Sequence, residues 1–148
     1  MTIASEVAAD QTGNALRPSV GTVRAAAVLT AIAGALLVWF VADPLAGVDL
    51  TVGTGSSARA IGPAAVALVS ALAGLAAVGL AVVLGRLAAR ARPIWFTVAV
   101  AVLVLSLTGP LGAVTLGAGL ALAAMHLVVG ATLIVGVGRT VSTRRLGQ

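Results

Sequence analysis

Cysteine, lysine and tyrosine are missing from this chain of 148 residues, and charged side chains make up only 9% of it. Without cysteine there is no disulfide, no thiolate metal site and no thiol redox couple. The scarcity of charge excludes more. A soluble domain is roughly a quarter charged and about half apolar. Here 60% of the residues are hydrophobic, and the mean hydropathy is +1.16. Surface falls too slowly with size for a soluble core of this length to hide that much apolar area. The solvent of most side chains must itself be apolar, which means lipid. A single compact domain fits the length. With no lysine, every basic residue is arginine, and alanine and glycine abound, the usage of a GC-rich bacterial genome. The sequence pI near 11.9 does not point to nucleic acid, because the arginines do not gather on one soluble face. In a membrane protein a basic excess marks the cytoplasmic side.

Three uncharged runs stand out. Residues 1–22 are small and polar and read as a short disordered cytoplasmic tail. Ala25 to Ala42 follows without a charge and is closed by Asp43-Pro44. At about 1.5 Å per residue it can cross a hydrocarbon core of about 30 Å. A cleaved secretory signal is the rival reading, with Arg17 and Arg24 as its charged region. The run is long for a signal and no clean A-x-A site follows, which favours an uncleaved helix. The second run is Ile61 to Gly85, with Pro63 suited to a first helical turn. Arg86, Arg90, Arg92 and Pro93 end it. From Ile94 to Gly138 no residue carries a formal charge. As one helix this stretch would reach about 67 Å, so it must fold back. Thr108-Gly109-Pro110-Leu111-Gly112 is its strongest turn signal. The spans are therefore about 25–42, 61–85, 94–108 and 114–138, the third with room to start a turn earlier. They form a transmembrane domain over 23–139, with 140–148 as a C-tail. Trp39-Phe40 and Trp95-Phe96 lie at span ends, where aromatic rings favour the headgroup layer. In the loop between the first two spans, Val48, Leu50 and Val52 alternate with Asp49 and Thr51, the period of a strand. A lone strand is not stable, so this loop must lean on the bundle or on a partner.

Arginine counting gives the orientation. Arg17, Arg24, Arg86, Arg90, Arg92, Arg139, Arg144 and Arg145 fall on one side of such a bundle, and only Arg59 on the other. Both ends of the chain are then cytoplasmic. The fold class is all-α membrane: a four-transmembrane-helix bundle, N-in and C-in, with an outer loop between helices 1 and 2. Lipid is as apolar as leucine, so small residues must bring the helices together. Ala27, Ala31 and Ala35 share one stripe, Ser70 and Gly74 another, and His126 and Gly130 a third. Such spacings arise readily in an Ala/Gly-rich chain and favour packing within it. The other reading is an outward stripe that makes a homo-oligomer or meets a membrane-protein partner.

His126 is the single histidine and the one ionisable residue inside a span. It sits about 19 Å before Arg139, near the bilayer midplane. A polar ring there must be hydrogen-bonded, and it is a functional candidate by its position. Ser70 falls at similar depth and Ser106 somewhat further out, and either hydroxyl is a fitting partner across helices. The functional reading is a proton relay or ligand contact. The structural reading, a neutral ring that pins helix 4 to helix 2 or 3, is favoured because no carboxylate lies in a span. The candidate intramembrane polar site is thus His126, Ser70 and Ser106. No catalytic, cofactor-binding or metal residue is identified. A triad needs a carboxylate, a zinc site needs more ligands, and a P-loop needs its lysine.

Four stretches carry a resemblance. They are Asp43-Pro44-Leu45-Ala46-Gly47-Val48-Asp49-Leu50; Ile61-Gly62-Pro63-Ala64-Ala65-Val66-Ala67-Leu68; Ser106-Leu107-Thr108-Gly109-Pro110-Leu111; and Met125-His126-Leu127-Val128-Val129-Gly130-Ala131. In this order they resemble a family of small actinobacterial integral membrane proteins classed as a domain of unknown function. The similarity runs over about residues 20–140, with Gly79 where a bulkier residue is expected. It implies four spans, an outer first loop and a histidine in the last span, and it implies no activity.

The expected protein is a non-enzymatic structural or interaction component of the bacterial cytoplasmic membrane, with no cofactor and no nucleic-acid partner. Its certain partner is the lipid bilayer. The alternative is a small transporter or ligand-binding subunit that uses His126. A third reading is an enzyme or lipid-binding protein with its site under the outer loop. A cavity lined by His126 would favour transport or ligand binding.

Overall fold

The computed structural model describes residues 18–141. Most of the expected N-terminal tail, with Arg17, and most of the C-tail, with Arg144 and Arg145, lie outside the described residues. Among the described residues, four helices are long and apolar enough to cross a membrane. They are α1 (Val20–Phe40), α2 (Pro63–Leu87), α3 (Ala91–Ser106) and α4 (Leu116–Gly138).

Each helix starts where the local chemistry satisfies its free N–H groups. Ser19 caps α1, its Oγ accepting from the Thr22 N–H at 3.1 Å. The helix therefore begins five residues before the expected Ala25. Thr115 caps α4 in the same way, accepting from the Ala118 N–H at 3.1 Å. Gly62 precedes α2, and Pro63 occupies its first turn, where a missing N–H costs nothing. Pro93 also falls in a first turn, since α3 begins at Ala91. It is thus compatible with the helix it was expected to precede.

Asp43-Pro44 does not close α1 as expected. The helix widens into a π-helical turn, Val41–Leu45, that carries both residues. The Ala46 N–H reaches back to the Val41 carbonyl at 3.0 Å, and the wider turn accommodates the proline that an α-helical turn would reject. Gly47, at φ 65°, then takes the left-handed conformation that lets the chain leave the helix. The alternating loop forms a hairpin. Strand β1 (Thr51–Val52) pairs antiparallel with β2 (Arg59–Ala60), across a short 3₁₀ turn, Gly55–Ser57. So small a hairpin is marginal alone. It is supported by the turn between α3 and α4: the Gly53 N–H donates to Gly112 O and the Val114 N–H to Thr51 O, both at 3.1 Å. That turn is a 3₁₀ segment, Gly109–Gly112, with Pro110 buried, so the expected break in the long uncharged run is present.

The bundle places α1 against α4 and α2, while α3 lies mainly against α4 with a lighter contact to α2. The arginines Arg24, Arg86, Arg90, Arg92 and Arg139 fall at helix ends on one side, called here the arginine end; the hairpin marks the other. Two apolar clusters form the core. One, toward the arginine end, gathers Ala27, Ala31, Ala81, Trp95, Leu133 and Val137. The other, toward the hairpin end, gathers Ala35, Leu50, Val66, Ala118, Leu122 and Met125.

Close approach of helices explains the small residues. A Cβ on Gly136 would lie 2.6 Å from the Ala27 Cβ, and one on Gly74 2.6 Å from a Val28 methyl. The Ala27/Ala31/Ala35 stripe is buried inside the chain, in line with intrachain packing. Trp95 departs from its expected place in the headgroup layer. It is 1% exposed, its indole N–H donates to the Ile134 carbonyl at 3.2 Å, and Gly138 leaves room for its ring. Phe96, its neighbour, stays exposed. Trp39 is partly buried and donates to the Ile61 carbonyl at 2.9 Å, which ties the end of α1 to the entry of α2.

Candidate functional site

The three candidate polar residues come from three helices, and all three line one cavity of about 350 Å³. Ser70 projects from α2, Ser106 from the last turn of α3, and His126 from the middle of α4. The remaining walls are apolar, with Ala35, Val66, Leu122 and Met125 from the hairpin-end core. Along α2 the lining runs from Ala65 to Ala73, so the cavity occupies the half of the bundle nearer the hairpin. Val69 and Val102 line it yet are 62% and 58% exposed. Both lie in the hairpin-side half of their helices, α2 and α3. The cavity therefore opens sideways, between these two helices, toward the lipid.

The splay between α2 and α3 has a local cause. Their connection, Ala88 to Arg90, holds them together at the arginine end. Farther along, Leu103 of α3 lies over Gly130 of α4, where a Cβ would meet its methyl at 2.5 Å. That contact draws α3 to α4, and α3 carries no glycine to match it toward α2.

His126 does not bond across helices as expected. Its Nδ1 lies 2.7 Å from the Leu122 carbonyl of its own helix. Ser106 Oγ likewise donates to the Leu103 carbonyl of its own helix at 2.7 Å. Inside lipid a helix offers its own carbonyls at i−3 and i−4, and these compete well with a distant side chain. The consequence is chemical. A carbonyl oxygen only accepts, so Nδ1 carries the proton and, in the neutral ring, Nε2 presents a lone pair. A Cβ placed on Gly109 would lie 3.9 Å from Nε2, so that nitrogen is near the turn that follows α3, and no hydrogen-bond partner for it is found among the described residues. Ser106, having spent its proton on Leu103, also presents lone pairs. Ser70 is only 5% exposed. Thr97, Ser106, Thr108 and Thr140 each donate to their own backbone; among the described residues Ser70 makes no such bond.

Sequence reasoning selected these three residues by depth, and depth brought them to one cavity. It missed the apolar wall, because residues such as Val69 and Ala73 carry no signal that separates a cavity face from a lipid face. Among the described residues no group of three metal-ligating side chains comes together. Asp43 lies in the π-helical turn that ends α1, and Asp49 in the loop that follows, where it accepts from the Thr51 hydroxyl.

A family model, described as a family of unknown function (DUF6069), matches residues 15–143. The chain belongs to that family. The match takes in all four long helices of this chain, together with the hairpin and the cavity. No curated protein and no solved structure matches the chain, so the reading of the site rests on its own geometry.

Proposed function

We propose that this protein is a non-enzymatic, multi-pass protein of the bacterial cytoplasmic membrane that binds a small apolar molecule inside its bundle. The observation that carries the proposal is the cavity of about 350 Å³ with His126, Ser70 and Ser106 in its wall. Ligand sites are concave, mostly apolar and marked by a few convergent polar groups. This cavity has that make-up and lies in a membrane span.

Binding fits better than transport. Between the cavity and the arginine end the helices close on one another, with Gly136 against Ala27 and Trp95 against Gly138. No polar side chain continues the line of His126 in that direction among the buried residues, which apart from glycine are apolar with the one exception of Ser70. Binding also fits better than catalysis, since a lone histidine without a neighbouring carboxylate or nucleophile–base pair has little chemistry to perform. The excess of positive charge at the arginine end supports a cytoplasmic position for it, and on that reading the cavity belongs to the outer half of the membrane.

Native mass spectrometry of protein released from mild detergent tests the proposal. Wild-type protein is expected to carry a lipid-derived adduct that Ala73→Phe, which fills the cavity mouth, lacks. Equal adducts on both proteins, or none on either, would overturn it.

A further inference from the structure

The proposed site leaves open what it holds, and the hydrogen-bonding capacity of its wall narrows the choice. Nδ1 of His126 is committed to Leu122 and the proton of Ser106 to Leu103. The polar groups left over on residues that line the cavity are, with the ring neutral, a nitrogen lone pair, an oxygen lone pair and the hydroxyl of Ser70. Two of these three groups accept only. A ligand polar group that merely accepts would leave both without a partner, whereas one that donates a proton satisfies at least one of them. No arginine lines the cavity, so a carboxylate or phosphate buried there would lack a counter-charge. Size narrows the choice again. An apolar cavity of about 150 Å³ takes benzene; one of about 350 Å³ takes roughly a dozen heavy atoms on the same scale. The opening between α2 and α3, marked by the exposed Val69 and Val102, supplies a path from the bilayer that bypasses water.

We infer that the cavity binds an uncharged, single-chain amphiphile with a hydroxyl head, a long-chain alcohol, whose O–H donates to Nε2 of His126. The inference rests on the ligand-binding reading above and adds the class of ligand and the atom that recognises it. The chain of the alcohol lies along the apolar wall of α2. Its oxygen can in turn accept from Ser70.

The single histidine makes the test direct. Protein labelled with ¹⁵N-histidine, in detergent micelles, is titrated with dodecanol, dodecane and dodecanoate at neutral pH. The free protein is expected to show the Nδ1–H tautomer. Dodecanol should move the Nε2 resonance and bind about three- to eighteen-fold more tightly than dodecane, the range of one interhelical-type hydrogen bond in a membrane protein. His126→Leu should bring the two affinities together. If dodecane binds as well as dodecanol and Nε2 does not respond, the hydroxyl inference fails while ligand binding stands. Preference for dodecanoate would also defeat it, by showing that the site takes an anion. If none of the three binds, the ligand-binding reading falls with it. Should His126→Leu fail to fold, the comparison of the three probes on wild-type protein decides the matter alone.

Discussion

The two halves of this bundle are made of similar residues and do opposite things with them. Toward the arginine end, Ala27 faces Gly136 and Trp95 fits beneath Gly138, so α4 meets α1 and α3 closely, and the space of about 330 Å³ found there lies at the rim, beside Arg24 and Thr140. Toward the hairpin end, α2 and α3 part and leave about 350 Å³ between them. Alanine, valine and leucine line both regions. What differs is whether a small residue on one helix faces a larger one on its neighbour. Where it does, dispersion contacts and backbone approach hold the pair together without help from water. Where Val69 of α2 has no such partner on α3, the space stays open and polar groups can be placed in it. A small-residue stripe in a membrane helix is therefore informative only together with its facing partner.

The strongest way to break this comparison is to remove Trp95. Trp95→Ala should cost about 3 kcal/mol, the low end for a buried aromatic, because lipid replaces water as the solvent of the unfolded helices. Thermal unfolding in detergent checks it, and a loss below about 1 kcal/mol would mean that the arginine-end half is not the tight one. Gly136→Val comes next. Its added methyl groups would collide with Ala27, and overpacking of that kind costs about 1–3 kcal/mol. A neutral result in the same assay would show that α1 and α4 can separate freely.

The hairpin-end half should tolerate change. His126→Leu is expected to cost no more than about 0.6 kcal/mol, the average for a polar contact in a membrane protein, since its bond returns to a carbonyl of its own helix. A larger loss would indicate a cross-helix role for the ring. Ala73→Phe should be the mildest of the four, within about 0.5 kcal/mol of wild type, because the ring enters empty space. If it destabilises as much as Gly136→Val, the cavity is not a cavity in the membrane.

Much of the architecture was legible in the sequence because it follows from local chemistry. Uncharged runs of span length, Pro63 in a first turn and the Gly-Pro-Leu-Gly turn each act within a few residues. The alternation from Val48 to Val52 announced a strand, but its partner, β2, and its support from Gly112 and Val114 are tertiary. Other features were misread for the same reason. Trp95 sits near a span end, which suggests a headgroup anchor; only the placement of Gly138 beside it makes it a core residue. Asp43-Pro44 suggests a stop, and the π-helical turn evades it. The candidate site was half legible. The scarcity of polar residues within spans singled out Ser70, Ser106 and His126. Their hydrogen bonds were not readable, since any hydroxyl or imidazole in a helix can turn to its own backbone. The cavity was not readable either, because it is made by the angle between two helices.

Photolabelling tests the contrast between the halves most directly. A long-chain alcohol bearing a diazirine is activated in proteoliposomes containing the protein, and the labelled residues are mapped by mass spectrometry. Adducts are expected at Val69, Ala73 and Val102, suppressed by excess dodecanol and absent from Ala73→Phe, with none at Ala27, Ala31 or Val137. Labelling spread evenly over the lipid-facing Leu72, Leu75 and Val100, and unaffected by dodecanol, would show that the gap between α2 and α3 is ordinary lipid-facing surface and would contradict the account.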